Sequence, residues 1–310
     1  MASLSWIILG TVVAGLLALD LLVLHRHAHR ESVTQAAWWS VFWVGLGLAF
    51  AVFVGYTRGG DAALAYLTAF LIEKSLSVDN LFVFLALFTY FGVKPEYQHR
   101  VLFWGIIGAL VTRGVFIVAG VALLETFHFL LYVLGALLIA TGARLGLGEQ
   151  SEVHPERNLI VRWASRVLPV ARSHHGEKFV VRVGGVWHFT PMFLVLLAIE
   201  STDVMFAVDS VPAVLAVSRD IFVVYSSNIF AILGLRALYF VLSGAISTLR
   251  FLRPALAVIL VLVGAKMVLV NVIEVPTALS LLVVALILGV ATAASLLFPA
   301  EPKSGSVSER

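Results

Sequence analysis

The stretch Ile199 to Val217, I-E-S-T-D-V-M-F-A-V-D-S-V-P-A-V-L-A-V, constrains this chain more than any other. It places Glu200, Asp203 and Asp209 inside an otherwise apolar run from Thr190 to Val217, longer than the ~20 residues a helix needs to cross a bilayer. An ionised carboxylate near the bilayer centre costs about 2.5–3.5 kcal/mol on insertion scales, so three of them call for protons, basic partners or a bound cation. Whatever this chain folds into must answer that charge.

Composition places the setting in a membrane. The chain is 61% hydrophobic and 13% charged, with a mean hydropathy of +1.02, values at which a soluble domain would expose large apolar patches. It has no cysteine, which excludes disulfides, thiolate metal sites and cysteine nucleophiles. Residues 1–19 lack a basic leading region and form an apolar run too long for a signal peptide, so they read as a first span. The net charge of +3 and pI near 9.3 do not point to nucleic acid, because the basic residues sit in short loops between apolar runs.

The apolar runs predict an all-α polytopic membrane protein of about nine spans, near 4–24, 37–57, 62–90, 101–123, 127–146, 190–217, 221–244, 254–271 and 277–298. One set of loops holds Arg26 and Arg30, Lys94 and Arg100, seven basic residues from Arg144 to Arg182, Arg250 and Arg253, then Lys303 and Arg310; the other holds Arg58 and Arg219. That asymmetry puts the N-terminus outside and the C-terminus in the cytoplasm. The polar segment 147–189 is expected to be a cytoplasmic cap, in which V-V-R-V-G-G-V-W suits a short hairpin, and 299–310 a disordered tail.

The acidic pattern occurs twice. Glu73 and Asp79 in E-K-S-L-S-V-D-N share the spacing of Asp203 and Asp209; Arg113-Gly-Val-Phe-Ile parallels Arg236-Ala-Leu-Tyr-Phe, and Gly142-Ala-Arg144 parallels Gly264-Ala-Lys266. Two three-helix units are expected, 62–146 and 190–272, preceded by two helices in 1–61 and followed by a last one in 273–298. The third span runs inward and the sixth outward, so the units form an inverted repeat, as in secondary transporters, whose sites lie near the midplane.

Residues six apart on a straight helix point about 240° apart, so two such carboxylates serving one ion imply a broken or kinked helix in each unit. Pro212 supplies a cause in the second, Ser75, Ser77 and Asn80 a means of satisfying freed backbone in the first. The candidate ligands, Glu73, Asp79, Asn80, Glu200, Asp203, Asp209 and Ser210, offer only oxygen, which suits hard divalent cations. Met205 is a soft contact or plain packing. Lys74, Arg113, Arg236 and Lys266, also within spans, either gate an ion path or pair with the acids as a structural network. Asp20, the His25, His27, His29 cluster, His174, His175 and His188 are weaker signals, and Trp38, Trp39 and Trp43 fit an interfacial belt. Catalytic and phosphate-cradling motifs are missing, so neither an enzyme nor a resident cofactor is expected.

The segments E-K-S-L-S-V-D-N-L-F-V-F, E-S-T-D-V-M-F-A-V-D-S-V-P-A-V, S-N-I-F-A-I-L-G-L-R-A-L-Y-F and V-G-A-K-M resemble the TerC family, in particular its Alx-like members, and the similarity runs from the first span to Phe298. The resemblance implies a bacterial inner-membrane protein of the LysE-type exporter superfamily, associated with manganese export and, by name, with tellurite resistance. The family's acidic positions fall on Glu73, Asp79, Glu200, Asp203 and Asp209, while Arg144 departs from the lysine expected in the first Gly-x-Lys copy. The expected function is secondary export of Mn²⁺, with protons as counter-ion. The alternative is a membrane scaffold for metal or tellurite stress whose buried acids serve only packing.

Overall fold

A computed structural model describes residues 2–19, 32–147, 159–171, 176, 178–183, 185–245, 251–272 and 275–298. The elements are α1 (Ala2–Leu19), α2 (Val33–Arg58), α3 (Gly60–Tyr90), α4 (Pro95–Thr126), α5 (Leu130–Gly146), α6 (Leu159–Val167), β1 (Val180–Val183), β2 (Val186–Phe189), α7 (Pro191–Leu215), α8 (Ile221–Leu233), α9 (Leu235–Ala245), α10 (Leu252–Val268) and α11 (Thr277–Leu297). The predicted tail, Asp20, His25, His27, His29, His174 and His175 lie outside the described residues.

Local chemistry starts these helices. Pro95 and Pro191 open α4 and α7, where a missing N–H costs nothing. Ser32 caps α2 by accepting from the Gln35 N–H, and Asp220 caps α8 by accepting from Phe222 and Val223. Gly59, at φ 93°, makes the corner between α2 and α3, a conformation L side chains rarely adopt. Beside it Arg58 pairs with Asp220 and lies 4.6 Å over the Phe222 ring, tying this corner to the start of α8.

Five stretches are long and apolar enough to cross a bilayer: α2, α4, α7, α11 and the α8–α9 segment Ile221–Ser243. The helices of α1, α5 and α10 are apolar but shorter, and α3 has the length but carries Asp61, Glu73, Lys74 and Asp79. The molecule is thus an α-helical membrane protein. Its only described strands, β1 and β2, pair antiparallel from Val180↔Phe189 to Val183↔Val186.

The helices interlock rather than stack in chain order. α4 packs along α7, α3 along α8 and α2, and α5 along α10. The α5–α10 seam brings backbones together: a methyl group added at Gly264 would lie 2.6 Å from Gly135 O and 2.9 Å from Ile139 Cγ1, and one at Gly142 would lie 2.7 Å from Ala257 O and 2.9 Å from Val261 Cγ2. Such small-residue contacts let membrane helices approach closely where apolar burial supplies little drive.

The expected interruptions at the acidic segments are absent. Both α3 and α7 run unbroken through their acids. Pro212 sits in the last turn of α7, where the Ala216 N–H still bonds to its carbonyl, so the lost donor falls where the helix is ending. The interruption lies instead at Gly234, between α8 and α9, where the Trp43 side chain and Lys74 fill the space a Cβ would need. Trp43 is accordingly buried at 3% exposure, against the expectation of an interfacial residue, whereas Trp38 is 72% exposed.

Candidate functional site

Three helices bring the central charges together. Glu73 on α3 is fully buried and ion-paired with Arg113 on α4, whose Nη2 and Nε also donate to Asp203 Oδ1 at 3.1 Å and Oδ2 at 3.4 Å on α7. The fork to Asp203 uses the planar guanidinium as only arginine can. One buried cation therefore bridges the two acids that hold equivalent places in the repeated sequence pattern, leaving one formal negative charge in excess.

Asp209, six residues on from Asp203, faces elsewhere, as the 240° separation predicts without a helix break, whereas Glu200, three residues before Asp203, lies toward the same side of α7. Glu200, half-buried, lays its carboxylate against Gly108 of α4, where even a methyl side chain would collide with it. Asp209, also half-buried, accepts a 3.2 Å hydrogen bond from Thr141 Oγ1 of α5. Asn80 is buried at 5% exposure and Ser210 at 3%, the Ser210 hydroxyl with no hydrogen-bond partner among the described residues. The backbone of Asp79 lies within α3, its side chain outside the described set.

Two lysines do not pair with acids among the described residues. Lys74 donates to Ala231 O at 3.1 Å, one of the carbonyls left without a helical partner where α8 stops before Gly234. Lys266 donates to Ser280 Oγ at 2.9 Å and lines an apolar cavity of about 250 Å³ between α10, α11 and α3, which none of the acids with a described side chain lines. Arg236, at the start of α9, is buried at 6% exposure. Met205 is 67% exposed on the outer face of α7, so it offers no soft contact to the acids.

No three His, Asp or Glu side chains converge as a ligand set among the described residues. The structure gathers Glu73 and Asp203 on an arginine, sets Glu200 against α4, the helix of that arginine, and leaves Asp209 on α5. Gly108 and Thr141 are the site residues that sequence reasoning missed. A glycine facing one carboxylate and a threonine hydroxyl on another helix facing a second carry no signal until the helices are docked.

Fold and site together define a polytopic helical membrane protein with a buried carboxylate–guanidinium network between its central helices. The model of the TerC integral membrane protein family matches residues 58–303, and the chain belongs to that family. It is 45% identical over 285 residues to an uncharacterized membrane protein of Myxococcus xanthus, covering 92% of this chain and 89% of that one. It is 47% identical over 290 residues to Alx of Salmonella typhi, a protein named for a proposed role as membrane-bound redox modulator, covering 91% and 90% of the two chains. An uncharacterized membrane protein of Rickettsia felis is 38% identical over 279 residues, 90% of this chain and 93% of that one. No solved structure matches.

Proposed function

We propose that this chain is a secondary active exporter of divalent cations, moving Mn²⁺ out of the cytoplasm in exchange for protons. The observation that carries this reading is the bridging of Glu73 and Asp203 by Arg113. The guanidinium occupies the place a cation needs between the two acidic segments, so it acts as a tethered substitute that neutralises them when no cargo is bound. A dication entering from Glu200 or Asp209 competes with Arg113 for the same carboxylates, and its departure returns them to the arginine or to protons. Without one of these the vacated acids are too costly to leave charged inside a membrane. Oxygen-only ligands set the class of ion, and the family resemblance singles out Mn²⁺.

The inverted repeat is part of this reading. Aligning Gly142-Ala-Arg144 with Gly264-Ala-Lys266 also aligns Ile139 with Val261 and Gly135 with Ala257, and the α5–α10 contacts are reciprocal in that register: Gly264 meets residues 135 and 139, and Gly142 meets residues 257 and 261. Likewise the first helix of each unit packs on the second helix of the other, α3 on α8 and α7 on α4. Two-fold relations of this kind suit rocking of one unit against the other. The Lys and Arg bias of the loops gives a multi-pass protein of the bacterial inner membrane, N-terminus outside and C-terminus cytoplasmic.

The test is Mn²⁺ uptake into inside-out vesicles by the wild type, Asp79→Asn and Asp209→Asn, with Ca²⁺ and Mg²⁺ as competitors and an imposed pH gradient. Uptake that both variants abolish at normal expression, and that follows the proton gradient, supports the proposal; uptake indifferent to that gradient removes the proton. A second reading, a scaffold for stress-response proteins, draws on the same ion pairs, since Arg113 satisfies two acids with no ion at all. It is favoured if no variant and no wild type moves metal and if partners bind through residues 147–189. The redox role in the relatives' name has no thiol couple in this chain to act through.

A further inference from the structure

The cap formed by α6 and the hairpin is stitched to the ends of the spans. Ala171 N–H donates to Phe189 O at 2.8 Å, Phe189 N–H to Pro169 O at 2.8 Å, and Thr190 N–H to Phe179 O at 2.9 Å, one residue before α7 begins. Phe189 and Phe193 rings sit 4.5 Å apart, and Arg100, in the second turn of α4, lies 5.7 Å over the Phe179 ring. Through these contacts the cap is held at the level where α4 and α7, two helices long and apolar enough to cross a bilayer, start.

Helix α6, L-I-V-R-W-A-S-R-V, is sharply two-sided. Ala164 is buried against the body of the protein at 1% exposure, and α6 packs on α7. Trp163 and Val167, four residues apart and so on one strip, stay 64% and 58% exposed. Arg162 and Arg166 form the neighbouring strip and are also exposed. The hairpin adds Trp187 at 63% exposure, with Val183, Val186 and Arg182 open beside it. From Arg157 to His188 the chain has six basic residues (Arg157, Arg162, Arg166, Arg172, Lys178 and Arg182) against one acid, Glu177.

We propose that α6 and the β1–β2 hairpin form a foot seated in the surface of the membrane, with Trp163, Val167 and Trp187 among the acyl-chain ends and Arg162, Arg166 and Arg182 on the phosphates of anionic phospholipids. Aromatic and aliphatic side chains flanked by arginines, held where the spans emerge, match the amphipathic interface of a bilayer layer by layer. A soluble protein partner would have to cover the same strip while reaching into the headgroup region. The foot fixes the first turn of α7, the helix that bears Glu200, Asp203 and Asp209, against the charge of one leaflet. The assignment holds whichever ion the protein moves.

A chain without cysteine makes the test direct. Val167→Cys and Ser165→Cys, on the exposed apolar strip and the polar strip of α6, each carry one environment-sensitive fluorophore in otherwise intact protein reconstituted into nanodiscs. With phosphatidylglycerol-rich bilayers, the Val167 probe is expected to be quenched several-fold more by a lipid nitroxide placed near the headgroup than by a water-soluble nitroxide, and the Ser165 probe the reverse. Each basic residue near an anionic surface contributes about a fivefold preference, so Arg162→Glu with Arg166→Glu is expected to lower retention of phosphatidylglycerol over phosphatidylcholine by roughly 25-fold or more. That retention is read by native mass spectrometry of stepwise delipidated protein, which needs no label and so survives a labelled variant that fails to fold. A Val167 probe as open to the aqueous quencher as the Ser165 probe overturns the proposal. So does a Val167 probe shielded from both quenchers, which means that protein covers it, and so does lipid retention unchanged by the two charge reversals.

Discussion

Arg113 is the residue on which the interior depends. It is fully buried, and so are the two carboxylates it bridges. Removing one partner from a buried ion cluster leaves uncompensated charge, at a cost of about 3–5 kcal/mol, whereas replacing every member by neutral groups of similar size is often nearly neutral. Arg113→Met is therefore expected to lower the thermal stability of the detergent-purified protein sharply. Adding Glu73→Gln and Asp203→Asn to it should restore most of the loss. A triple variant less stable than Arg113→Met alone would show that the acids are held by groups other than the arginine. The sequence made half of this legible: the cost of charge in a membrane singled out Glu73, Asp203 and Arg113 before any geometry. That one arginine serves both acids was not legible, because the pairing depends on the docking of three helices whose contact angles leave no trace in residue spacing. For the same reason Gly108 and Thr141 went unmarked.

At the scale of single helices, the periodic and compositional signals placed the apolar segments near the observed ones, since a bilayer imposes length and polarity directly. The helix interruption was misplaced for a physical reason. A proline penalises the turn before it, but near a C-terminus there is little helix left to disrupt, while a glycine between two packed aromatic and lysine side chains stops α8 without any proline. The α5–α10 seam yields the prediction at this scale. Gly264→Ala puts a methyl group into backbone of the facing helix and is expected to cost about 1–3 kcal/mol, as overpacking does. Gly289→Ala, on α11 where no atom lies within 4 Å, should be neutral or favourable by up to ~1 kcal/mol, the difference in helix propensity. Unfolding of both variants under the same denaturant series checks the contrast; equal losses would mean the seam is looser than the close approach of Gly135 and Gly264 implies.

For the whole molecule, orientation and transport stand or fall on separate measurements. Of single cysteines introduced at Ala2 and at Gly305 of the cysteine-free chain, a membrane-impermeant maleimide should label the Ala2 position in intact cells and the Gly305 position only after the membrane is permeabilised. Labelling of both from the same side would require an even number of spans. The transport assay with Asp79→Asn and Asp209→Asn then asks what the oriented protein does. Overall class and family were legible from composition and the two acidic motifs. The interlocking of α3 with α8 and α4 with α7 was not, because an apolar helix reads alike whichever neighbour it meets.

That interlocking bears on how the protein is made. During synthesis the helices leave the ribosome in order, and α3 and α4 enter the membrane well before α7 and α8 exist. Until then Glu73 and Arg113 have each other but no Asp203, and the surfaces that later meet α7 and α8 face lipid. The early half is thus an incomplete intermediate, open to quality-control proteolysis, that matures only when the late half threads in beside it. Expressed alone, residues 1–150 should be degraded rapidly, and co-expression of residues 151–310 should extend their lifetime in a pulse-chase experiment. A stable, long-lived early half would mean that the two halves fold independently and dock afterwards.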